Sequence, residues 1–303
     1  MSSPLVYVVL VNWNGLTHLQ ACLPTLARTA YRPFQVLVVD NGSTDGSEAW
    51  ARAHFPAVRW LSLGRNEGFA RGNNRGIEQA LAAGAAYVVL LNNDTRVEAD
   101  WLPALVESAE THPQAAICQA RQRTWDGEQE IRFRFMPAWA EADAHYTPIT
   151  PPGPPRPTPF ASGCAMLLRA AALPALGLFD ERYFMYVEDV DLTLRAWILG
   201  YDVLDVPAAV VYHRFGGSAG DAPRRMVWGY RNQLTTLLKL YQPATLRQFW
   251  PPIRARWFFT RNRYALRGTL AALAWLPGTL ARRRAVQCKR AAPDSRFLQY
   301  VVR

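Results

Sequence analysis

The chain has 303 residues, half of them hydrophobic, which excludes a disordered protein. Four scattered cysteines (Cys22, Cys118, Cys164, Cys288), with no CxxC pair, argue against a disulfide framework and for free thiols in a reducing compartment. The net charge of +10 is unevenly placed. Residues 223–303 carry 17 Lys+Arg and one acid, Asp294, a formal +16, and residues 1–222 carry the other 17 bases and 23 acids, a formal −6. A basic tail on an acidic body points to an anionic partner surface, lipid or nucleic acid.

The N-terminus lacks the basic stretch of a signal peptide and reads as a first core strand. No run of eighteen uncharged apolar residues occurs, so no membrane span is expected. Apolar runs at 5–11, 34–39, 58–63 and 86–91 predict strands. Leu19, Leu23 and Leu26 mark one intervening helix, and Ile77, Ala80 and Leu81 another. Such alternation implies βαβ units, a largely parallel sheet and a ligand site at the carboxyl ends of its strands. Polar residues crowd three of those ends, at Asn12-Trp13-Asn14, Asp40-Asn41-Gly42 and Asn92-Asn93-Asp94. Residues 147–159 hold seven prolines and are expected to form an extended surface loop. Beyond it the pattern predicts a strand over 160–168, a helix over 188–199 and strands over 203–206 and 209–213, the last running into an HRFGGS turn. Two or more amphipathic helices are expected after Asp221. The apolar 269–281, too short to span a bilayer, suits a helix lying in its interface.

Five segments carry polar groups suited to chemistry. Asp40 opens an Asp-Asn-Gly-Ser-Thr-Asp-Gly-Ser turn, which can cap a helix through Ser43 or Thr44. A strand-end carboxylate there can also accept the imide N–H of uracil or thymine. The glycine-rich 65–76 precedes a helix, where backbone N–H groups suit a diphosphate or ribose, helped by Arg71, Asn73 and Arg75. Its alternative is a plain surface loop. Asp94, ending a buried strand, can hold a divalent cation against diphosphate oxygens, or cap the next helix. In Glu188-Asp189-Val190-Asp191, Asp191 is spaced to pair with Arg195, and Glu188 or Asp189 can act as general base toward a sugar hydroxyl. His213 is either an ordinary strand-end residue or an imidazole ligand to the metal at Asp94.

In this order the segments resemble the family 2 glycosyltransferases of the GT-A fold, and among them the rhamnosyltransferase branch. The matching pattern is VxxVNWNG, VVDNGSTDGS, NxGFAxGNNxG, LLNNDT, SGCxMLLR, GxFDExYFMYxEDVDLxLR and VxHxxGGS, over roughly residues 5–218. The resemblance implies an α/β fold, a Rossmann-like and mostly parallel sheet flanked by helices. It implies a nucleotide-sugar site at Val11, Asn12, Asn14, Asp40 and Asn41, continuing through Asn66, Gly68, Phe69, Asn73, Asn92 and Asn93. It further implies Mg²⁺ or Mn²⁺ at Asp94 and His213, Asp189 as general base with Glu188 in reserve, and Asp191, Arg195 and Gly163 toward the acceptor side. One departure stands out: Asn92 replaces the first carboxylate of the Asp-x-Asp that many relatives carry. Metal affinity is then expected to be modest, His213 to matter more, and Asn92 to contact ribose or a metal-bound water. The tail lies outside the resemblance except at Tyr230-Arg231-Asn232.

The expected organisation is a GT-A domain over 1–222, with a nucleotide half (1–95) and an acceptor half (96–222), then a basic, membrane-associating helical extension over 223–303. The expected activity is inverting transfer of L-rhamnose from dTDP-rhamnose to a polysaccharide or polyprenyl-diphosphate-linked glycan, at the cytoplasmic face of an anionic membrane. A UDP-hexose donor is the alternative within the class. GDP is disfavoured, because the turn from Asp40 to Ser43 is small for a purine. A catalytically silent sugar-binding protein would be expected to lose Asp94 or the carboxylates at 188–191, and all are kept. No nucleic-acid partner is expected, since the tail carries no motif for one.

Overall fold

The computed structural model describes residues 3–214 and 222–301. Strands β1 (Val6–Asn12), β2 (Phe34–Asp40), β3 (Arg59–Ser62) and β4 (Tyr87–Leu91) alternate with helices α1 (Leu16–Ala27), α2 (Ser47–His54) and α3 (Phe69–Ala82). They lie side by side as β3-β2-β1-β4, all parallel. The central strands are apolar because helices cover both faces of the sheet. Helix α3 sits close on β1 through glycines. A Cβ on Gly76 would stand 2.3 Å from Val9 Cγ1, and one on Gly72 3.0 Å from Val11 Cγ1. These glycines therefore serve helix–strand packing, in place of the close ligand approach expected of them.

Beyond β4 come β5 (Thr95–Val97), α4 (Trp101–Thr111), β6 (Ala115–Thr124), β7 (Gln129–Met136), β8 (Glu141–Pro148), β9 (Arg156–Pro157) and β10 (Ala165–Arg169). Helices α5 (Leu173–Leu176) and α6 (Glu188–Ile198) and strand β11 (Asp202–His213) follow. Here the sheet becomes mixed. Strand β10 inserts antiparallel between β4 and β6, β11 runs parallel to β6, and β5 closes the far edge antiparallel to β11. Parallel pairing thus holds for the first four strands and for β6–β11.

Three expectations need correction. The strand expected over 160–168 begins only at Ala165, because the backbone before it bonds to side chains: Ala161 N to Thr193 Oγ1, Ser162 N to Gln119 Oε1 and Gly163 N to Asp189 Oδ2. The strands expected at 203–206 and 209–213 are one, since the irregularity between Val206 and Val210 passes Pro207 without ending the pairing with β6. The β7–β8 hairpin was not foreseen. Its pairing ends at Gln129↔Pro148, so a strand reaches into the proline-rich segment, and β9 within that segment pairs with the β11 edge.

The basic region folds as α7 (Ala222–Leu240), α8 (Pro243–Gln248), α9 (Trp250–Trp257), α10 (Arg263–Ala274), α11 (Leu276–Gln287) and α12 (Ser295–Leu298). Leu234, Leu237, Tyr241, Trp257 and Phe297 are buried in the same apolar cluster as Val9, Leu90 and Met166. No helix among the described residues is long and apolar enough to cross a membrane.

Candidate functional site

At the carboxyl ends of β1 and β2 a hydrogen-bonded shelf forms. Asn12 Nδ2 donates to Asp40 Oδ1 (3.3 Å), Ser43 Oγ (3.1 Å) and Ser47 Oγ (3.0 Å), and Asn12 Oδ1 accepts from Asn93 Nδ2 (2.8 Å). Asp40 Oδ2 accepts from Ser43 N. Asn14, in left-handed backbone at φ 48°, bridges to Ser43 Oγ and Thr44 N. Neither Ser43 nor Thr44 caps α2: the cap position is Gly46, with no side-chain cap bond, and the Asp45 carboxylate before it accepts from Ser47 N and Leu16 N; these bonds outweigh burial and keep its carboxyl below the usual range. Asn41 spans from β2 to the next loop, accepting from Glu67 N and donating to Gly68 O, and Asn66 Oδ1 accepts from Gly68 N. Asn73 is buried and bonds its own helix at Phe69 O. Arg71 pairs with Glu67 and Glu181, and Arg75 with Glu78.

Next to this shelf opens a cleft of about 610 Å³, whose walls include Phe69, Asn92, Asp94, Gly163, Glu188, Asp189 and His213. Val11, Asn12, Asn14, Asp40, Asn41, Asn66, Gly68, Asn73 and Asn93 are not on its walls, and Asn93 is the hydrogen-bonded link between the shelf and the Asn92-Asn93-Asp94 turn. The pairing of His213 with Thr95 across β11 and β5 brings His213 Nε2 to 3.3 Å from Asp94 Oδ1. Asn92 Nδ2 lies 3.5 Å from the same nitrogen, and Gln122 Oε1 is 3.1 Å from Nδ1. Burial disfavours both charges, yet the pairing prevails: Asp94 is held below its usual range, and His213 is raised to about 10 by Cys164 and Asp94. Burial keeps Cys164 a neutral thiol, so Asp94 is the charge that His213 answers to. A carboxylate and an imidazole on one cleft wall, the ring oriented from behind by Gln122, suit a divalent cation once the cation displaces the proton that His213 holds against Asp94. Among the described residues no group of three or more His, Cys, Asp or Glu gathers. The glycine turn after His213 (216–218) lies outside the described residues.

Helix α6 opens with three acids, where the helix dipole favours negative charge. They differ in surroundings. Asp191 is fully buried and meets Lys239 Nζ at 2.6 Å and Arg195 Nε at 2.9 Å; Lys239 also binds Asp180. That cluster ties α6 to α7. Asp189 accepts from Gly163 N (3.0 Å) and Val190 N (2.8 Å). Glu188 Oε2 is buried and has no hydrogen-bond partner among the described residues. Burial raises both carboxyls, but the two backbone N–H groups oppose this at Asp189, whereas the neighbouring Asp189 charge pushes Glu188 further, well above its usual range. Asp189 is therefore the first of the two to ionise.

The segment leading into α6 is strained. Phe184, Tyr186 and Val187 have φ of 64°, 72° and 73°, unusual for bulky and β-branched residues. Asn232 of α7, fully buried, holds it. Its Nδ2 lies 3.1, 3.0 and 2.8 Å from the carbonyls of Tyr183, Met185 and Tyr186. Arg231 donates to Tyr183 O. Helix α7 also lines the cleft with Arg225, Met226 and Gln233. No Lys/Arg cluster adjoins Asp94 or His213 in sequence; the fold supplies Arg225 from 131 positions beyond Asp94. The sequence reading missed Gln122, Arg225, Asn232 and Lys239 as site residues, and its one available signal was the Tyr230-Arg231-Asn232 stretch.

The family model described as glycosyl transferase family 2 matches residues 7–177. The N-acetylglucosaminyl-diphospho-decaprenol L-rhamnosyltransferase of Mycobacterium tuberculosis (strain ATCC 25618 / H37Rv) is 34% identical over 239 residues, covering 71% of this chain and 78% of that protein. The dTDP-rhamnosyl transferase RfbF of Shigella flexneri is 24% identical over 269 residues, 80% and 82% of the two chains. Among solved structures, GalNAc-T7 with UDP, GalNAc and Mn²⁺ overlays with a TM-score of 0.70 at 16% identity, over 99% of this chain and 57% of that one. The mannosyltransferase PcManGT from Pyrobaculum calidifontis, in complex with GDP-Man and Mn²⁺, overlays with a TM-score of 0.58 at 17% identity, over 99% and 84%. These two likenesses establish the GT-A fold alone.

Proposed function

The chain belongs to glycosyl transferase family 2, and from that premise we propose that it transfers L-rhamnose from dTDP-rhamnose, with inversion, to a polyprenyl-diphosphate-linked glycan. What carries the chemistry is the meeting in one cleft of the Asp94–His213 pair and the partly hydrogen-bonded Asp189 carboxylate. The donor sugar and lipid-linked acceptor rest on the names of the two rhamnosyltransferase relatives.

In this reading the thymine lies on the shelf. Asp40 keeps acceptor capacity beyond its two internal bonds and takes the imide N–H. Asn41, Asn66 and Gly68 shape the loop toward the ribose. Asp94 and His213 would hold a divalent cation, Mg²⁺ or Mn²⁺, which supplies neutralising charge for the departing diphosphate. Arg225 on the cleft wall adds positive charge from the protein itself. Asp189 takes the proton from the acceptor hydroxyl as that oxygen attacks the anomeric carbon opposite the leaving group. A single displacement of this kind inverts the centre. Burial suits Asp189 to the task, since a raised carboxyl is a better proton acceptor near neutral pH. Residues 223–303 would keep the enzyme at the cytoplasmic face of the membrane that bears the acceptor, as an extension of the 1–222 catalytic domain.

Isothermal titration of dTDP, UDP and GDP with Mn²⁺, followed by transfer to a lipid-diphosphate N-acetylglucosamine, tests the proposal. Tighter binding of dTDP and transfer from dTDP-rhamnose are expected. Transfer from a UDP-hexose alone would move the assignment to that donor, and absence of nucleotide binding would overturn it.

A further inference from the structure

Helix α10 reverses the usual arrangement of an amphipathic helix. Its small residues face inward: Ala265, Gly268, Thr269 and Ala272 are buried, and a Cβ on Gly268 would meet Tyr230 Cβ at 2.6 Å and Arg231 N at 3.0 Å on α7. Its leucines face out. Leu266, Leu270 and Leu273 are 43%, 68% and 42% exposed, at the i, i+4, i+7 spacing of a single stripe. Phe258 and Phe259 are exposed just before it, and Leu280 just after, on α11. Of the eleven large hydrophobic side chains exposed among the described residues, eight lie between Met226 and Leu280. So many apolar groups on one quarter of the chain call for cover.

The charge around the stripe says what kind. Arg263 and Arg267 on α10, Arg261 just before it and Arg254 on α9 are exposed, and no acidic residue occurs from Ala222 to Pro293. Apolar side chains interleaved with cations, with no anion among them, match a surface that is apolar within and negative at its boundary. An anionic leaflet has both properties in any register, whereas a partner protein would need its acids placed opposite each arginine.

We propose that the outer face of α10, with Phe258, Phe259 and Leu280, docks in the headgroup region of an anionic bilayer. The leucines and phenylalanines enter the acyl boundary and the arginines stay at the lipid phosphates. This rests on the reading of 223–303 as membrane-facing and names the face that does it. Helix α7, which carries α10, contributes Arg225, Met226 and Gln233 to the cleft, so a docked α10 holds the cleft close to the leaflet where a lipid-linked acceptor resides.

Co-sedimentation of the full chain with phosphatidylglycerol vesicles, and with phosphatidylcholine vesicles as control, tests the assignment. The chain is expected to pellet with the anionic vesicles at low salt, to release at high salt and to ignore the neutral ones. The triple variant Leu266→Ser/Leu270→Ser/Leu273→Ser should need at least roughly tenfold more lipid for half-binding, because it removes the apolar contribution alone. The triple variant Arg261→Gln/Arg263→Gln/Arg267→Gln should bind more weakly and with a flatter salt dependence. All six positions are exposed, so the melting temperature and dTDP binding should stay at wild-type values; Phe259→Ser, at the most exposed position, gives a milder second probe. Unchanged vesicle binding by the leucine variant, or equal binding to neutral vesicles, overturns the proposal. So does a wild-type dimer that the leucine variant breaks while vesicles are ignored. Vesicle binding is read without donor, so failure of the rhamnosyltransferase reading would show as lost dTDP binding and leave this result untouched.

Discussion

Asn232 offers the sharpest test of how the carboxylates at the start of α6 are held. Its amide shares two protons among the carbonyls of Tyr183, Met185 and Tyr186, in a segment where three non-glycine residues sit at positive φ. Asn232→Leu keeps the volume and removes both donors. The lost hydrogen bonds are worth about 1 kcal/mol each; Tyr183 O keeps Arg231 and Met185 N, but the Met185 and Tyr186 carbonyls lose this buried partner at about 1–3 kcal/mol more. Each strained residue stores on the order of 1–3 kcal/mol that the clamp no longer opposes, so the segment can relax and carry Glu188 and Asp189 with it. A net destabilisation of about 2–4 kcal/mol is expected, a loss of several degrees in Tm at about 2–4 °C per kcal/mol. The larger effect should fall on kcat, since a displacement near 1 Å at a reacting group costs on the order of a hundredfold. Binding of dTDP should change little, because the shelf around Asn12 and Asp40 makes no hydrogen bond to Asn232. Tm, steady-state transfer and titration of dTDP on the one variant separate these effects. A variant that melts early yet turns over at the wild-type kcat would show that Asn232 serves stability alone, and would refute its role as a positioning residue.

Asp189→Asn should lower transfer by on the order of a hundredfold or more while dTDP binding stays near wild type, measured by product formation and titration on the same preparation; wild-type turnover would remove Asp189 from the mechanism. Glu188→Gln tests the buried carboxyl next to it. A carboxyl whose folded pKa lies above its unfolded 4.5 contributes stability that is complete below 4.5 and lost as pH rises through the folded value. The amide does not titrate, so the variant should melt with the wild type below pH 4.5 and increasingly above it as the pH rises; a gap independent of pH would contradict the burial argument. Excess EDTA should abolish transfer and Mn²⁺ restore it, and His213→Ala should raise the Mn²⁺ concentration needed, whereas full activity in EDTA would leave diphosphate charge to Arg225 and its neighbours.

Much of the architecture of residues 1–95 was readable from local pattern. The apolar runs of β1, β2 and β4 end at Asn12, Asp40 and Leu91, just where the polar clusters begin, because a buried parallel strand tolerates polar side chains only at its mouth. The Asp191–Arg195 pair was equally readable, since helical spacing alone sets it. The alternation of Ile131, Phe133 and Phe135 with Arg132 and Arg134 carries the period of a strand, so β7 has a local signal too, while its partner β8 ends inside the proline-rich segment expected to be a loop.

Other features have no local signature. Gly72 and Gly76 look alike in sequence whether they admit a phosphate or a neighbouring strand, and only the position of Val9 and Val11 decides between them. Nothing near Asp189 announces Asn232 or Lys239, because those partners come from a helix more than forty positions later, brought in by packing of α7 on α6. The basic tail shows the same division most clearly. Composition alone established its charge and its amphipathic helices. Which leucines face inward was a tertiary decision: Leu234 and Leu237 enter the shared core, while Leu266, Leu270 and Leu273 stay outside because Gly268 and its alanines give α10 a closer fit against α7. Helical periodicity fixes the angle between side chains on one helix, but the direction of that helix's buried face depends on the shape of the neighbour it meets.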